Sequence, residues 1–332
     1  MTFSFIIPVY NRPDEIDELL QSLALQNYQD IFEVVIVEDG SSIPCRFVVD
    51  KYRGRLDISY YFKSNSGPGD SRNFGMQQAR GGYFLILDSD CLLPADYLSE
   101  VERALAANHI DCFGGPDKAL DSFSDIQKAI NFSMTSFITT GGIRGGSEIT
   151  AKFQPRSFNM GLSKKAFVAS QGFRDIHPGE DPDLAIRLWK MGFETRLFQN
   201  AYVYHKRRID WKKFYIQVNK FGKARPILNS WHPEYSKLAF FFPPLFLIGF
   251  LFSTLFLIAR IQFFFGLYLF YFFLVFIISS LQSRSLKIGA YSLAAVAIQF
   301  YGYGIGFIAS FWHIAILKKR PQVAFPELFF KK

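Results

Sequence analysis

The chain has 332 residues, 49% of them hydrophobic and 18% aromatic, with 37 Lys+Arg against 29 Asp+Glu for a net charge of +8. That length accommodates one large domain plus an appendage, and the cysteines Cys45, Cys91 and Cys112 lack metal-ligand spacing, which argues for reduced thiols. The charge is local: residues 206–237 hold nine Lys/Arg and two Asp/Glu, a net of +7 by direct count, just ahead of an apolar run, which favours anionic lipid over nucleic acid as its partner.

Met1 to Tyr10 is apolar but has no basic leader and ends at Pro8 and Asn11, so it reads as a strand (Phe3 to Val9) and not as a secretory signal. The domain it opens is therefore expected in the cytoplasm. Pro13 to Leu25 places Ile16, Leu19, Leu20 and Leu23 at helical spacing behind Pro13 and two acids. Phe32 to Val37 and Ile58 to Phe62 read as buried strands, Gly69 to Ala79 as a helix, Tyr83 to Leu87 as a further strand and Ala95 to Ala107 as an amphipathic helix. A glycine-rich loop follows at Gly141 to Gly146, then a helix from Asp181 to Met191 closed by Gly192, and a strand from Thr195 to Tyr204 leading to His205. Strands alternating with helices predict an α/β fold with a mainly parallel sheet, which binds ligands at the carboxyl ends of its strands.

Beyond residue 205 the character changes. Residues 206–237 read as a basic interfacial region, with Trp211 to Leu228 an amphipathic helix turning Trp211, Phe214, Tyr215 and Phe221 inward. Three apolar segments, 238–259, 261–281 and 286–317, are long enough to span a bilayer. The last would be about 48 Å long as a straight helix, so a bend at Gly302-Tyr303-Gly304-Ile305-Gly306, a tilt or a re-entrant path is expected. Residues 318–332 form a basic tail, which prefers the cytoplasm although three crossings from a cytoplasmic start end outside.

The unusual polar residues follow the buried strands. Asp88-Ser89-Asp90 delivers two carboxylates to one rim, and only a cation or hydrogen bonds offset their repulsion. Mg²⁺ and Mn²⁺ take such carboxylates together with substrate phosphates. Ser66 to Gly75 opens a helix whose N-terminus favours anions, with Arg72 placed for phosphate or for a structural ion pair. Asp181 reads either as an N-cap or as a general base, and His205 either as structural or as a third metal ligand.

Six motifs in this order resemble the family 2 glycosyltransferases of the GT-A fold over residues 1–235: Ile7-Pro8-Val9-Tyr10-Asn11-Arg12, Val37-Glu38-Asp39-Gly40-Ser41, Gly67-Pro68-Gly69 with Arg72-Asn73, Leu87-Asp88-Ser89-Asp90, Phe158-Asn159-Met160-Gly161 and Gly179-Glu180-Asp181-Pro182-Asp183-Leu184. The resemblance implies a catalytic domain over residues 1–205 and an inverting transferase that uses a nucleotide-diphosphate sugar, a UDP-sugar first among them. It implies Pro8, Tyr10 and Asn11 in the nucleotide pocket, and Asp39 against the base with Glu38 where the family usually has Asp. It further implies Arg72 near the diphosphate, Asp88 at the ribose or metal, Asp90 on the Mg²⁺ or Mn²⁺, Asn159 near the donor sugar or acceptor, and Asp181 as the base.

The membrane segments add a lipid-linked or membrane-delivered saccharide as acceptor and a multi-pass location in the cell inner membrane or its equivalent, with the catalytic domain cytoplasmic. A nucleotidyltransferase would need a basic triphosphate loop, and Asn11-Arg12-Pro13-Asp14-Glu15 supplies one base. A processive synthase would carry a Gln-x-x-Arg-Trp-type motif that Arg187-Leu188-Trp189 does not match, which favours transfer of single sugars. A non-catalytic membrane scaffold on the same fold is the remaining alternative.

Overall fold

The computed structural model describes residues 2–118, 123–141, 152–205 and 210–330. In chain order the elements are β1 (Phe3–Val9), α1 (Pro13–Ala24), β2 (Glu33–Asp39), α2 (Arg46–Asp50), β3 (Asp57–Lys63), α3 (Pro68–Gln78), β4 (Tyr83–Leu87), β5 (Cys91–Leu92), α4 (Tyr97–Ala107), β6 (Cys112–Gly114), β7 (Asp117–Lys118), α5 (Asp125–Thr135), α6 (Phe137–Thr140), β8 (Asn159–Ser163), α7 (Lys164–Ser170), α8 (Glu180–Lys190), β9 (Thr195–Leu197), β10 (Val203–His205), α9 (Trp211–Trp231), α10 (Phe242–Ile258), α11 (Phe263–Ser283) and α12 (Leu286–Phe311).

They form two compact units, one of residues 1–120, 147–206 and 329–332, the other of residues 121–146 and 207–328. The stretch 121–146, read from sequence as part of a continuous N-terminal domain, falls in the second unit. Its helix α5 carries Ala129, Ile130 and Met134, which bury with Phe214, Val218, Ile288 and Ala295 of the helices around it. The glycine-rich loop lies outside the described residues from 142 onward.

The first unit is built on a seven-stranded sheet of order β3-β2-β1-β4-β8-β6-β9. Strand β1 pairs in parallel with β2 and β4, and β2 with β3. Only β8 runs against its neighbours β4 and β6. The expected mainly parallel sheet is present, and side-chain alternation decides what each face carries. Phe3, Phe5, Ile7 and Val9 of β1 join Tyr83, Leu85 and Leu87 of β4 in one core with Ile16 and Leu20 of α1 and Leu98 and Val101 of α4. The intervening residues Ile6, Phe84 and Ile86 face a second core with Met76 of α3 and Leu184 and Leu188 of α8. Both faces are covered, which is why β1 and β2 read as unbroken apolar runs.

The strand expected over 195–204 is two strands in two sheets. Segment β9 ends the large sheet, whereas β10 joins a three-stranded sheet of order β5-β10-β7. In that small sheet His205 lies directly opposite Cys91 in antiparallel register.

In the second unit three helices, Leu238–Ile258, Phe263–Ser283 and Leu286–Ile316, are long and apolar enough to cross a membrane. Of the bend, tilt or re-entrant path open to the last segment, neither a bend nor a tilt requires a break in the helix, and α12 runs as one helix through the triple glycine. The glycines serve close packing. A Cβ on Gly306 would overlap the Asn219 carbonyl oxygen, and one on Gly222 the Tyr303 carbonyl oxygen. Helices α9 and α12 therefore meet almost backbone to backbone, as small residues allow in membrane helix pairs. Asn219 Nδ2 donates to the Gly302 carbonyl at 3.0 Å across the same contact. Helix α9 extends to Trp231, past the expected end at Leu228, and its buried residues include Phe214, Val218, Gly222 and Ile227, with the expected Trp211 and Phe221 partly buried against the same core.

Candidate active site

The strand order reverses direction between β1 and β4, and open sheets of this kind bind ligands at that point, beyond the strands' carboxyl ends. The residues after β1 and β4 meet there. Arg12 Nη1 bonds Asp90 Oδ2, and Asp90 Oδ1 lies 3.0 Å from His205 Nε2, 115 residues further along the chain. Burial pushes the Asp90 carboxyl up, but the His205 hydrogen bond and the charges of His205 and Arg12 outweigh it and hold the group below the usual carboxylate range. His205 stacks on Phe158 with ring centroids 5.0 Å apart, and its buried Nδ1 has no partner among the described residues.

Asp88 goes elsewhere, for a reason in the pleat. Two residues beyond Ile86 it stays on the face covered by α3 and α8, and its Oδ1 accepts from Arg72 Nη2 at 2.7 Å. Arg72 is buried inside α3. Its Nη1 reaches Glu180 Oε1 at 3.4 Å, and its guanidinium lies 5.5 Å from the centre of the Phe173 ring. Burial alone would make Arg72 easier to deprotonate, but Asp88, Glu180 and Asp181 together raise its pKa. The expected Arg72 position near a diphosphate is thus one of a guanidinium already shared between two acids.

The N-terminus of α8 carries the other half. Gly179, with φ +131°, lets the chain enter the helix. Glu180 accepts from Arg72 and meets His177 Nδ1 at 2.8 Å. Its burial is unfavourable to the charge, but His177 and Arg72 drive its pKa down. Asp181 behaves in the opposite way. Burial first, then the Glu180 charge, push its pKa up to about 6, against the pull of Arg72, Arg156 and the Ser157 N–H. Asp181 Oδ1 is buried and has no hydrogen-bond partner among the described residues. Below it Asp183 is buried and pairs with Arg187 Nε at 2.8 Å, while Arg187 donates to the carbonyls of Ser170 and Gly172 at 2.5 Å. That buried knot fixes the first turn of α8.

Other sequence-selected residues are engaged in the fold itself. Asp39 accepts from Lys63 Nζ at 2.8 Å, Ser66 N at 3.0 Å and Gly67 N at 2.9 Å, so it moors the loop that opens α3. Glu38 is fully buried and accepts from Ser41 Oγ, from Cys45 N at 2.7 Å and from Tyr60 at 3.1 Å. Asn11, at φ +53°, accepts from Ser42 Oγ and Ile43 N, both at 3.0 Å. Asn159 is buried between Tyr97, which donates to it at 2.7 Å, and the Ala201 carbonyl, which accepts from it at 2.8 Å. Pro8 is half-buried at the end of β1, and Tyr10 beside it is exposed.

Four residues that the sequence reading left out of the site stand in it: Arg12, His177, Glu180 and Cys91. All four sit inside a quoted motif or within two residues of one, and only their partners were hidden. Phe330, also in the first unit, packs its ring on the face of Gly67 and donates its N–H to Asp175 Oδ1 at 3.1 Å.

A divalent cation fits the Asp90–His205 end by its donors. A carboxylate oxygen and an imidazole nitrogen face each other with a cysteine sulfur close by, all three within 4.8 Å of one another.

Residues 4–168 match the family model described as Glycosyl transferase family 2. A stretch of 114 residues is 38% identical to the poly(ribitol-phosphate) beta-N-acetylglucosaminyltransferase TarS of Staphylococcus aureus, covering 33% of this chain and 20% of that protein. A longer stretch of 196 residues is 26% identical to the GalNAc(5)-diNAcBac-PP-undecaprenol beta-1,3-glucosyltransferase of Campylobacter jejuni, covering 56% of this chain and 59% of that one. The chain thus spans about a fifth of the first relative and under two thirds of the second. Mannosyltransferase PcManGT from Pyrobaculum calidifontis, solved with GDP-Man and Mn²⁺, superposes with a TM-score of 0.52 at 17% identity, over 67% of this chain and 62% of that one, and shares the fold. The chain therefore carries a family 2 glycosyltransferase domain of GT-A-like fold, followed by helices long and apolar enough to cross a membrane.

Proposed function

We propose that the protein is an inverting, metal-dependent glycosyltransferase that moves a single sugar from a nucleotide-diphosphate sugar, UDP-linked in the first instance, to a lipid-linked saccharide at the membrane. The observation that carries this reading is Asp181: a buried carboxylate with an unpartnered oxygen and a pKa raised to about 6, as a general base working near neutrality requires. The relatives' printed names, a transferase acting on poly(ribitol-phosphate) and one acting on an undecaprenol-linked glycan, support a phosphate-bearing or lipid-linked acceptor. The apolar helices support delivery from the bilayer. The catalytic domain, residues 1–205 apart from the 121–146 stretch that belongs to the second unit, works on the cytoplasmic face, with 206–237 as the basic interfacial region, 238–317 in the membrane and 318–332 as the tail.

Asp181 takes the proton of the acceptor hydroxyl as that oxygen attacks the anomeric carbon from the face opposite the diphosphate, and the single displacement inverts the centre. His177 and Arg72 hold Glu180 charged, and the Glu180 charge helps keep Asp181 basic enough for the task. Asp90 and His205 would hold a divalent ion, whose positive charge would stabilise a diphosphate leaving group. Pro8, Tyr10, Asn11 and Asp39 shape the nucleotide pocket, with Glu38 holding the Ser41 hydroxyl that accepts from the Asn11 N–H, while the Asn159 N–H donates to the Arg156 carbonyl in the turn beside Asp181.

The test is a donor-hydrolysis and donor-binding screen of nucleotide sugars with Mg²⁺ or Mn²⁺, on wild type and Asp90→Ala. The reading expects one donor class to bind in a metal-dependent way and that dependence to vanish in Asp90→Ala. Equal binding of all donors with and without metal would overturn it.

A further inference from the structure

None of the cysteines shows metal-ligand spacing in the sequence, yet the fold gives Cys91 two neighbours that spacing cannot reveal. Strand β5 begins directly after Asp90, and its antiparallel pairing with β10 sets Cys91 opposite His205. Residues directly opposite in antiparallel strands put their side chains on the same face. A carboxylate oxygen of Asp90, the Cys91 sulfur and a His205 ring nitrogen then all lie within 4.8 Å of one another. The sulfur is held in place: it lies 3.4 Å from the Phe158 carbonyl, and Phe158 is the residue that stacks on His205. Arg12 occupies Asp90 Oδ2 and leaves Oδ1 turned to the imidazole.

We propose that Cys91 is a third protein ligand of the metal site, so that this centre takes borderline-soft divalent ions, Co²⁺ and Zn²⁺, in preference to Mg²⁺. This rests on the reading that Asp90 and His205 hold a metal. Oxygen donors alone do not discriminate in favour of soft ions, whereas one thiolate added to a carboxylate and an imidazole makes the set typical of tetrahedral transition-metal sites. On binding, the sulfur–metal bond forms as the thiol proton leaves to solvent, and no oxidation is involved. Cys45 and Cys112 are also free and buried, but they stand outside this group among the described residues.

The test is titration of the full-length protein in detergent with Co²⁺, followed by the sulfur-to-cobalt charge-transfer absorption and by calorimetry. Wild type is expected to bind one Co²⁺ at this site with the charge-transfer band. Cys91→Ser is expected to lose the band and to bind Co²⁺ on the order of tenfold or more weakly. X-ray absorption at the cobalt edge of the wild type reads the same point without a variant, through a sulfur neighbour of the ion. Co²⁺ bound with oxygen and nitrogen neighbours only, or a band that survives Cys91→Ser, overturns the role of Cys91 and leaves the Asp90–His205 site standing. Absence of Co²⁺ binding overturns both.

Discussion

Glu180 and Asp181 are consecutive at the start of α8, yet the structure drives their protonation in opposite directions: Glu180 is held charged by His177 and Arg72, and Asp181 is pushed up to about 6 by burial and by Glu180 itself. Two carboxylates with pKa values forced apart mark a division of labour between an electrostatic support and a proton acceptor.

The first consequence is a pH profile. A base must be unprotonated to act, so kcat/KM for transfer should rise with pH through an apparent pKa of about 6 and level off above it. Glu180→Gln removes the neighbouring charge that contributes to the raised pKa, so the midpoint should move to lower pH. Initial rates across the acid range for both proteins check this.

The same shift bears on stability. An Asp whose folded pKa lies above its unfolded value favours the fold most when protonated. That contribution is complete below the unfolded pKa, about 4, and is lost as pH rises through the folded pKa of about 6. Asp181→Asn stays neutral throughout, so its stability relative to wild type should grow between those values and then plateau, by roughly 3 kcal/mol. Glu180 and Asp90, both lowered, lose their contribution as pH falls, but they do so in both proteins. Thermal melts of the pair across pH 4 to 8 read the difference.

Arg72 and Arg12 should differ sharply when removed. Arg72 is 4% exposed and serves Asp88 and Glu180, whereas Arg12 is 43% exposed. Arg72→Met strips Asp88 of its cation and leaves buried Glu180 with His177 alone, a loss of about 3 kcal/mol or on the order of 10 °C in the melt. Arg12→Met should cost about 1 kcal/mol or less. Melting temperatures of the two variants in one detergent rank them.

In the second unit, Gly306→Val must force the backbones of α9 and α12 apart at Asn219, with a cost of about 1–3 kcal/mol. Gly266→Val on α11 meets nothing within 4 Å and should leave the melt unchanged. Thermal stability of the purified variants separates close packing from a general intolerance of bulk.

Much of the fold was legible because it is written locally. The apolar run of β4 matches the sequence reading residue for residue, and the boundaries of β1 and α1 agree with it to within a residue. The three apolar helices follow from length and composition alone. What sequence could not show is pairing at a distance. Nothing near His205 announces Cys91, because only the β5–β10 register joins them. Nor does Asp-Ser-Asp reveal that its two acids part company, since that depends on which helices cover the face that Asp88 meets. The glycines of α12 were visible, but a bend and a close approach share one composition, and Asn219 and Tyr303 decide between them.

The most direct measurement is transfer by Asp181→Asn set beside its binding of donor, using the donor identified by the nucleotide-sugar screen and a membrane lipid extract as acceptor. The account predicts donor affinity close to wild type and a transfer rate lower by about 10²–10⁴-fold. Transfer by Asp181→Asn at the wild-type rate would contradict it.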